Sequence, residues 1–171
     1  MRHRKPVNAL AAAVLSWFAF WVVFGLFVTT AHAAEGFSGR VVGVADGDTL
    51  TVLAGETQHK VRLAEIDAPE KKQAFGEKAR QSLAALCFNQ RAEVSVGKTD
   101  FYRRTVARVR CRGVDASLHQ VQQGLAWAYT QYLTDPDVAT AEKLARGSSL
   151  GLWVDAAPTA PWAFRKGAKA K

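Results

Sequence analysis

Residues 39–66 read "GRVVGVADGDTLTVLAGETQHKVRLAEI": three runs of alternating Val, Leu and polar residues, divided by "ADGD" and "AGET". Alternation of period two puts one side of each run on a core, and the turn-rich tetrapeptides set the strands back to back. The stretch therefore predicts a three-stranded antiparallel meander. A chain that starts this way must still cover the apolar face of that sheet.

The rest of the chain supplies the cover. "AFGEKARQSLAALCF" places Ala79, Leu83, Leu86 and Cys87 at helical spacing, which predicts a helix over 76–88. "RAEVSVG" (91–97) and "RTVARVRC" (104–111) alternate again as strands. "DASLHQVQQG" (115–124) reads as a helix with Asp115 or Ser117 as N-cap and Gly124 past its end. A third helix is expected over about 136–147, from "DPDVATAEKLARGSSLGLW". Five strands with helices after the third and fifth give an α+β, mainly β class: a five-stranded OB-type barrel with three helices. Residues 34–155 hold this domain, and 156–171 form a Pro/Lys-rich C-terminal tail whose end is expected to be disordered.

The first residues carry a different signal. MRHRK is followed by an uncharged run from Ala9 to Val28 and by "AHA" at 31–33. Basic start, apolar run and small-x-small site read as an export signal over 1–33, cleaved after Ala33. The run is also long enough to span a bilayer, so an uncleaved, outward-facing membrane anchor is the alternative. Both place the domain outside the cytoplasm, in the periplasm or secreted.

Charge is consistent with a polyanionic partner without requiring one. The full chain has 23 Lys and Arg against 15 Asp and Glu. Removing Arg2, Arg4 and Lys5 with the leader leaves 20 against 15, a net charge of +5. Two cysteines, Cys87 and Cys111, read as a disulfide in an oxidising compartment; two buried thiols are the alternative.

The charged residues of "VRLAEIDAPE" (61–70) then need an explanation. Asp46 and Asp48 fall in the turn before the second strand, and Asp67 and Glu70 in the loop ending the third. Coiling the sheet into a barrel brings these carboxylates to one rim. Alone, "DGD" is most simply a polar hairpin turn. Oxygen ligands gathered without histidine or cysteine suit Ca²⁺ or Mg²⁺ and argue against zinc. Arg62 in the third strand, with Arg103 and Arg104 at the start of the fifth, offers planar forks that match a phosphate. Two arginines, a hard cation and a spare carboxylate are the parts phosphodiester hydrolysis needs.

With these residues placed, the chain resembles the staphylococcal nuclease (thermonuclease) family over about residues 38–153. The resemblance rests on "ADGDT", "RLAEIDAPE", "FGEKA", "DFYRRTVARV", "QQGLAWAY" and "GLW", in the family's order and spacing. It implies an OB-fold endonuclease that cleaves DNA and RNA with Ca²⁺, leaves 3′-phosphates, and works as a monomer with no obligate protein partner. It implies Asp48 and Asp67 as metal carboxylates and Ala68 as a backbone-carbonyl ligand. Glu70 corresponds to the water-activating residue, Arg62 and Arg104 to the phosphate-binding pair, and Asp46 to a nearby accessory acid. Tyr102 corresponds to an aromatic beside the nucleotide. Tyr129 and Tyr132 lie near the base-stacking tyrosines, at a different spacing. "KKQA" after Glu70 is shorter than in the best-known member. The alternative is a non-catalytic OB module that binds single-stranded nucleic acid or a protein partner.

Overall fold

In the computed structural model, which describes residues 36–169, the three alternating runs form strands β1 (Gly36–Val44), β2 (Thr49–Ala54) and β3 (Thr57–Leu63). The expected export signal, residues 1–33, lies outside the described residues. β1 pairs antiparallel with β2, and β2 with β3, setting Val41 opposite Val52 and Leu50 opposite Val61. All four side chains are fully buried, as period-two alternation requires.

Strand β5 (Arg91–Thr99) pairs with β1, and β6 (Thr105–Cys111) pairs with β5. β6 also runs parallel to β3, with Val61 opposite Thr105 and Leu63 opposite Ala107. That contact closes a five-stranded mixed barrel, the expected OB-type fold. Closure leaves β3 without a free edge, and it carries the end of β3 to the start of β6.

Helix α1 (Gly76–Cys87) buries Ala79, Leu83 and Cys87 on the barrel. Helix α2 (Ala116–Gln122) starts at Asp115, whose carboxylate accepts from the Leu118 N–H at 3.1 Å; of the two expected caps, Asp115 is the one in use. Helix α3 (Pro136–Gly147) is capped by Asp135, with Pro136 in its first turn.

Three short strands go beyond the expected set. The two-residue strands β4 (Ile66–Asp67) and β8 (Trp127–Ala128) pair antiparallel, with Asp67 opposite Trp127. β7 (Val114–Asp115) extends the β6 edge. Within the Pro/Lys-rich C-terminal tail, a fourth helix forms, α4 (Pro161–Lys169); the last two residues, where disorder is expected, lie outside the described residues. Pro161 fits a helix start, and Ala160 accepts the first backbone bond from Phe164 at 3.0 Å. Among the described residues no helix is long and apolar enough to cross a membrane.

Cys87 and Cys111 are joined as a disulfide, with α-carbons 5.3 Å apart, tying the end of α1 to the end of β6. Both are fully buried. They are 24 residues apart, and closing such a loop stabilises the fold by about 3 kcal/mol in the chain-entropy account. Reduction should lower the urea-unfolding free energy by roughly that amount. Thiol titration of denatured, unreduced protein should find no reactive thiol; two per chain would refute the bridge.

Candidate active site

Three backbone placements bring the acidic residues together. The loop between β1 and β2 carries Asp46 and Asp48, and the Asp48 carbonyl accepts from the Leu63 N–H at 2.8 Å, pinning it to the end of β3. Gly47 lies so close to α1 that a Cβ there would stand 2.5 Å from the Ala79 Cβ and 2.8 Å from the Ala68 Cβ. Only glycine permits that approach. Gln120, fully buried on α2, donates from one amide nitrogen to the Gly47 carbonyl at 2.7 Å and the Ala79 carbonyl at 2.9 Å. The β4–β8 ladder then fixes the Asp67 backbone, and the Glu70 carbonyl accepts from the Gln73 N–H at 2.8 Å.

At the centre are two buried carboxylates. Asp48 is 3% exposed and Asp67 fully buried. Arg62 bridges them: Nη1 donates to Asp48 Oδ1 at 2.7 Å, and Nη2 to Asp67 Oδ1 at 2.8 Å. The Ala68 N–H donates to Asp48 Oδ2 at 2.9 Å, and the Asp48 N–H donates to Asp46 Oδ1 at 3.0 Å. Burial pushes the Asp48 carboxyl up to about 7, against the pull of Arg62. For Arg62, burial acts to lower the pKa, but Asp48 and Asp67 outweigh it and hold the guanidinium above its ordinary value.

The remaining expected residues border the same open cleft, of about 1380 Å³. Glu70 lies on its wall, three residues after Asp67. Arg104 does not reach the buried carboxylates: Nε donates to Asp100 Oδ2 at 2.8 Å, and Nη1 is 3.4 Å from Thr49 Oγ1. Arg103 sits in the preceding turn with φ of 61°. Tyr102 is largely exposed, with the Arg104 guanidinium 5.6 Å from its ring centre. Tyr129 and Tyr132 pack edge to face at 5.0 Å and also border the cleft.

Sequence reading missed Arg165. It extends from α4 and donates to Asp67 Oδ2 from Nη2 at 2.7 Å. Its Nη1 donates to Glu70 Oε1 at 2.8 Å and lies 3.3 Å from Asp67 Oδ1. Trp162, three residues earlier and so on the same helical face, stacks on Tyr129 with ring centres 5.7 Å apart. Pro161 followed by that aromatic–basic spacing is the one signal that marks this helix in the sequence.

The donor set fits a hard divalent cation. Two buried carboxylates face each other across one guanidinium, with no imidazole or thiolate beside them among the described residues. Among the described residues no three His, Cys, Asp or Glu side chains form a ready metal cluster, so the protein would supply two carboxylates supplemented by backbone.

Comparison with known proteins identifies a family and several named nucleases. Residues 60–155 match the family described as staphylococcal nuclease homologue. The chain is 43% identical over 140 residues to an uncharacterized endonuclease of Haemophilus influenzae, covering 81% of this chain and 79% of that one. It is 38% identical over 174 residues to a micrococcal nuclease of Shigella flexneri, covering 95% and 94%.

The Asp48 shift has a stability consequence that can be measured without cation. A carboxyl raised from 3.8 to about 7 favours the folded state fully below pH 4, and that contribution disappears as pH rises through about 7. Asp48→Asn cannot ionise. In chelator, the unfolding free energy of the wild type minus that of Asp48→Asn should therefore fall by on the order of 2–4 kcal/mol between pH 4 and pH 8. A difference independent of pH would contradict the buried, charge-poor environment assigned to Asp48.

Proposed function

The chain belongs to the staphylococcal nuclease family and is a nuclease, and from that premise we propose an exported, Ca²⁺-dependent endonuclease of low sequence specificity that hydrolyses DNA and RNA to 3′-phosphate ends. The observation that carries the proposal is that Asp48, Arg62 and Glu70 border one cleft, with the buried Asp67 bonded to Arg62 beneath it. The dual substrate and the 3′-phosphate product rest on the family resemblance. Export is supported by the basic, apolar and small-residue order of residues 1–33, and by a disulfide suited to an oxidising compartment.

Asp48, Asp67 and the Ala68 carbonyl are the groups to hold Ca²⁺. When bound, the cation supplies positive charge beside the phosphate as negative charge grows there. Arg62 and Arg104 hold the phosphate through their guanidinium forks, Arg104 by leaving Asp100 or by using donors that Asp100 does not take. Glu70 accepts a proton from the attacking water. Its Oε1 receives Arg165, and its Oε2 has no hydrogen-bond partner among the described residues, so Oε2 is the atom that faces the water. Tyr102, Tyr129 and Tyr132 supply aromatic faces for bases along the cleft.

Digestion of DNA and RNA should require Ca²⁺ and stop with chelator. Glu70→Gln and Arg104→Ala act on groups whose contacts strengthen in the transition state, so each should lose on the order of 10²–10³ in kcat while still binding an oligonucleotide. Near-normal kcat in either variant would remove that residue from its role. A binding module without catalysis would show no Ca²⁺-dependent digestion at all.

A further inference from the structure

We propose that Arg165, carried by the C-terminal helix, is a third phosphate-binding arginine of the cleft, acting on the phosphate at the cleavage site from the side of Glu70. The inference rests on the reading of this cleft as the hydrolytic site. Arg165 lies beyond residues 60–155, the segment that matches the family.

The first support is a parallel within the site. Arg62 and Arg165 both donate to Asp67, and Arg165 engages both of its oxygens. Arg62 bonds Oδ1 and reaches on to Asp48; Arg165 bonds Oδ2 and reaches on to Glu70. One buried carboxylate thus aims two guanidiniums at one cleft, and the first of them is already assigned to phosphate. The second support is donor capacity. Of the five N–H groups of Arg165, Nε and one hydrogen of Nη2 meet no acceptor among the described residues. The side chain is 40% exposed and borders the cleft together with Arg62 and Arg104. An arginine with unspent donors, open to solvent on a nucleic-acid cleft, has the geometry to take a phosphate oxygen.

The third support is how firmly the helix is docked. Trp162 stacks on Tyr129 with planes 8° apart and packs edge-on against Trp127 at 5.4 Å. The Gln73 side-chain amide donates to the Thr159 carbonyl. Trp127 is the residue opposite Asp67 in the β4–β8 ladder, and Gln73 accepts the Glu70 N–H. The helix is therefore fastened to the same backbone that carries the two acidic residues, and Arg165 is placed by a rigid element.

The test uses the full mature chain with Arg165→Ala, Arg165→Met and Arg165→Lys. Affinity for a short phosphorothioate-linked oligothymidylate is measured with Ca²⁺ at several salt concentrations, alongside kcat on DNA and calorimetric Ca²⁺ binding without nucleic acid. The Ala and Met variants should bind the oligonucleotide about tenfold or more weakly. The slope of log affinity against log salt should be smaller by about one, a readout that loss of packing alone would not move. Lys should restore the salt slope but only part of the affinity, since it keeps the charge and loses the fork. Tryptophan fluorescence reports whether α4 stays docked, and Met keeps the apolar stem if Ala does not. Unchanged affinity and slope in Ala and Met would overturn the proposal. So would tighter Ca²⁺ binding with turnover at or above wild type, which would make Arg165 an internal occupant of the cation's carboxylates. Because the binding measurement does not depend on hydrolysis, a wild type that fails to cleave would count against the nuclease mechanism and leave the Arg165 result standing.

Discussion

A fully buried carboxylate is the constraint on which the site is built. Asp67 has no contact with solvent, and an ionised group in such a place destabilises the fold heavily unless its oxygens are bonded and its charge matched. Both conditions are met by guanidiniums from opposite ends of the domain: Arg62 from β3, five residues away, and Arg165 from α4, 98 residues away. Asp48 is satisfied less fully. It shares Arg62 and accepts from the Ala68 N–H and the Thr49 hydroxyl, and burial still pushes its carboxyl up to about 7, with Asp46 and Asp67 nearby adding to the rise. The pocket is thus held by charge pairing, and the charges that stabilise it are the ones we propose for its chemistry.

Such pairing demands backbone positions accurate to a fraction of an ångström, and the surrounding elements supply them. Barrel closure through β3 and β6 fixes Arg62. The two-residue β4–β8 ladder fixes Asp67. Gly47 lets the acidic loop lie against Ala68 and Ala79, and Gln120 ties that loop to α1 through two bonds from one nitrogen. A larger residue at position 47 would lift Asp48 away from Arg62 without touching a charged group.

The barrel was legible in the sequence because each long strand has a buried face, and burial writes itself as period-two alternation. The expected strands and first three helices appear within a few residues of their expected bounds. The acidic cluster was legible because Asp48, Asp67 and Glu70 sit in short motifs with a chemical rationale. β4 and β8 were not, since two residues cannot display a period. α4 was hidden for a different reason. Its Ala, Lys and Gly content reads as a solvated tail, and only Pro161 and the Trp162–Arg165 spacing mark the turn that docks. The pairing of Arg104 with Asp100 was also not readable, because it depends on how the turn around Arg103 folds back. Long-range contacts made by single residues leave no periodic trace.

The same pairing constrains how ligands must act on the cleft. Arg62 gives two donors and Arg165 three to carboxylates, and full engagement with phosphate means releasing some of those bonds. Release would strand negative charge on Asp67, buried with no water to take over. The exchange becomes favourable only when another positive group stays beside Asp48 and Asp67, which is what a divalent cation offers. Cation and phosphate would then each lower the free-energy cost of binding the other, and by linkage the factor must be the same in both directions. Depth of burial is what makes that coupling strong. In an exposed pocket water would screen the abandoned carboxylates and the two ligands would bind nearly independently; beneath the floor of this cleft they cannot.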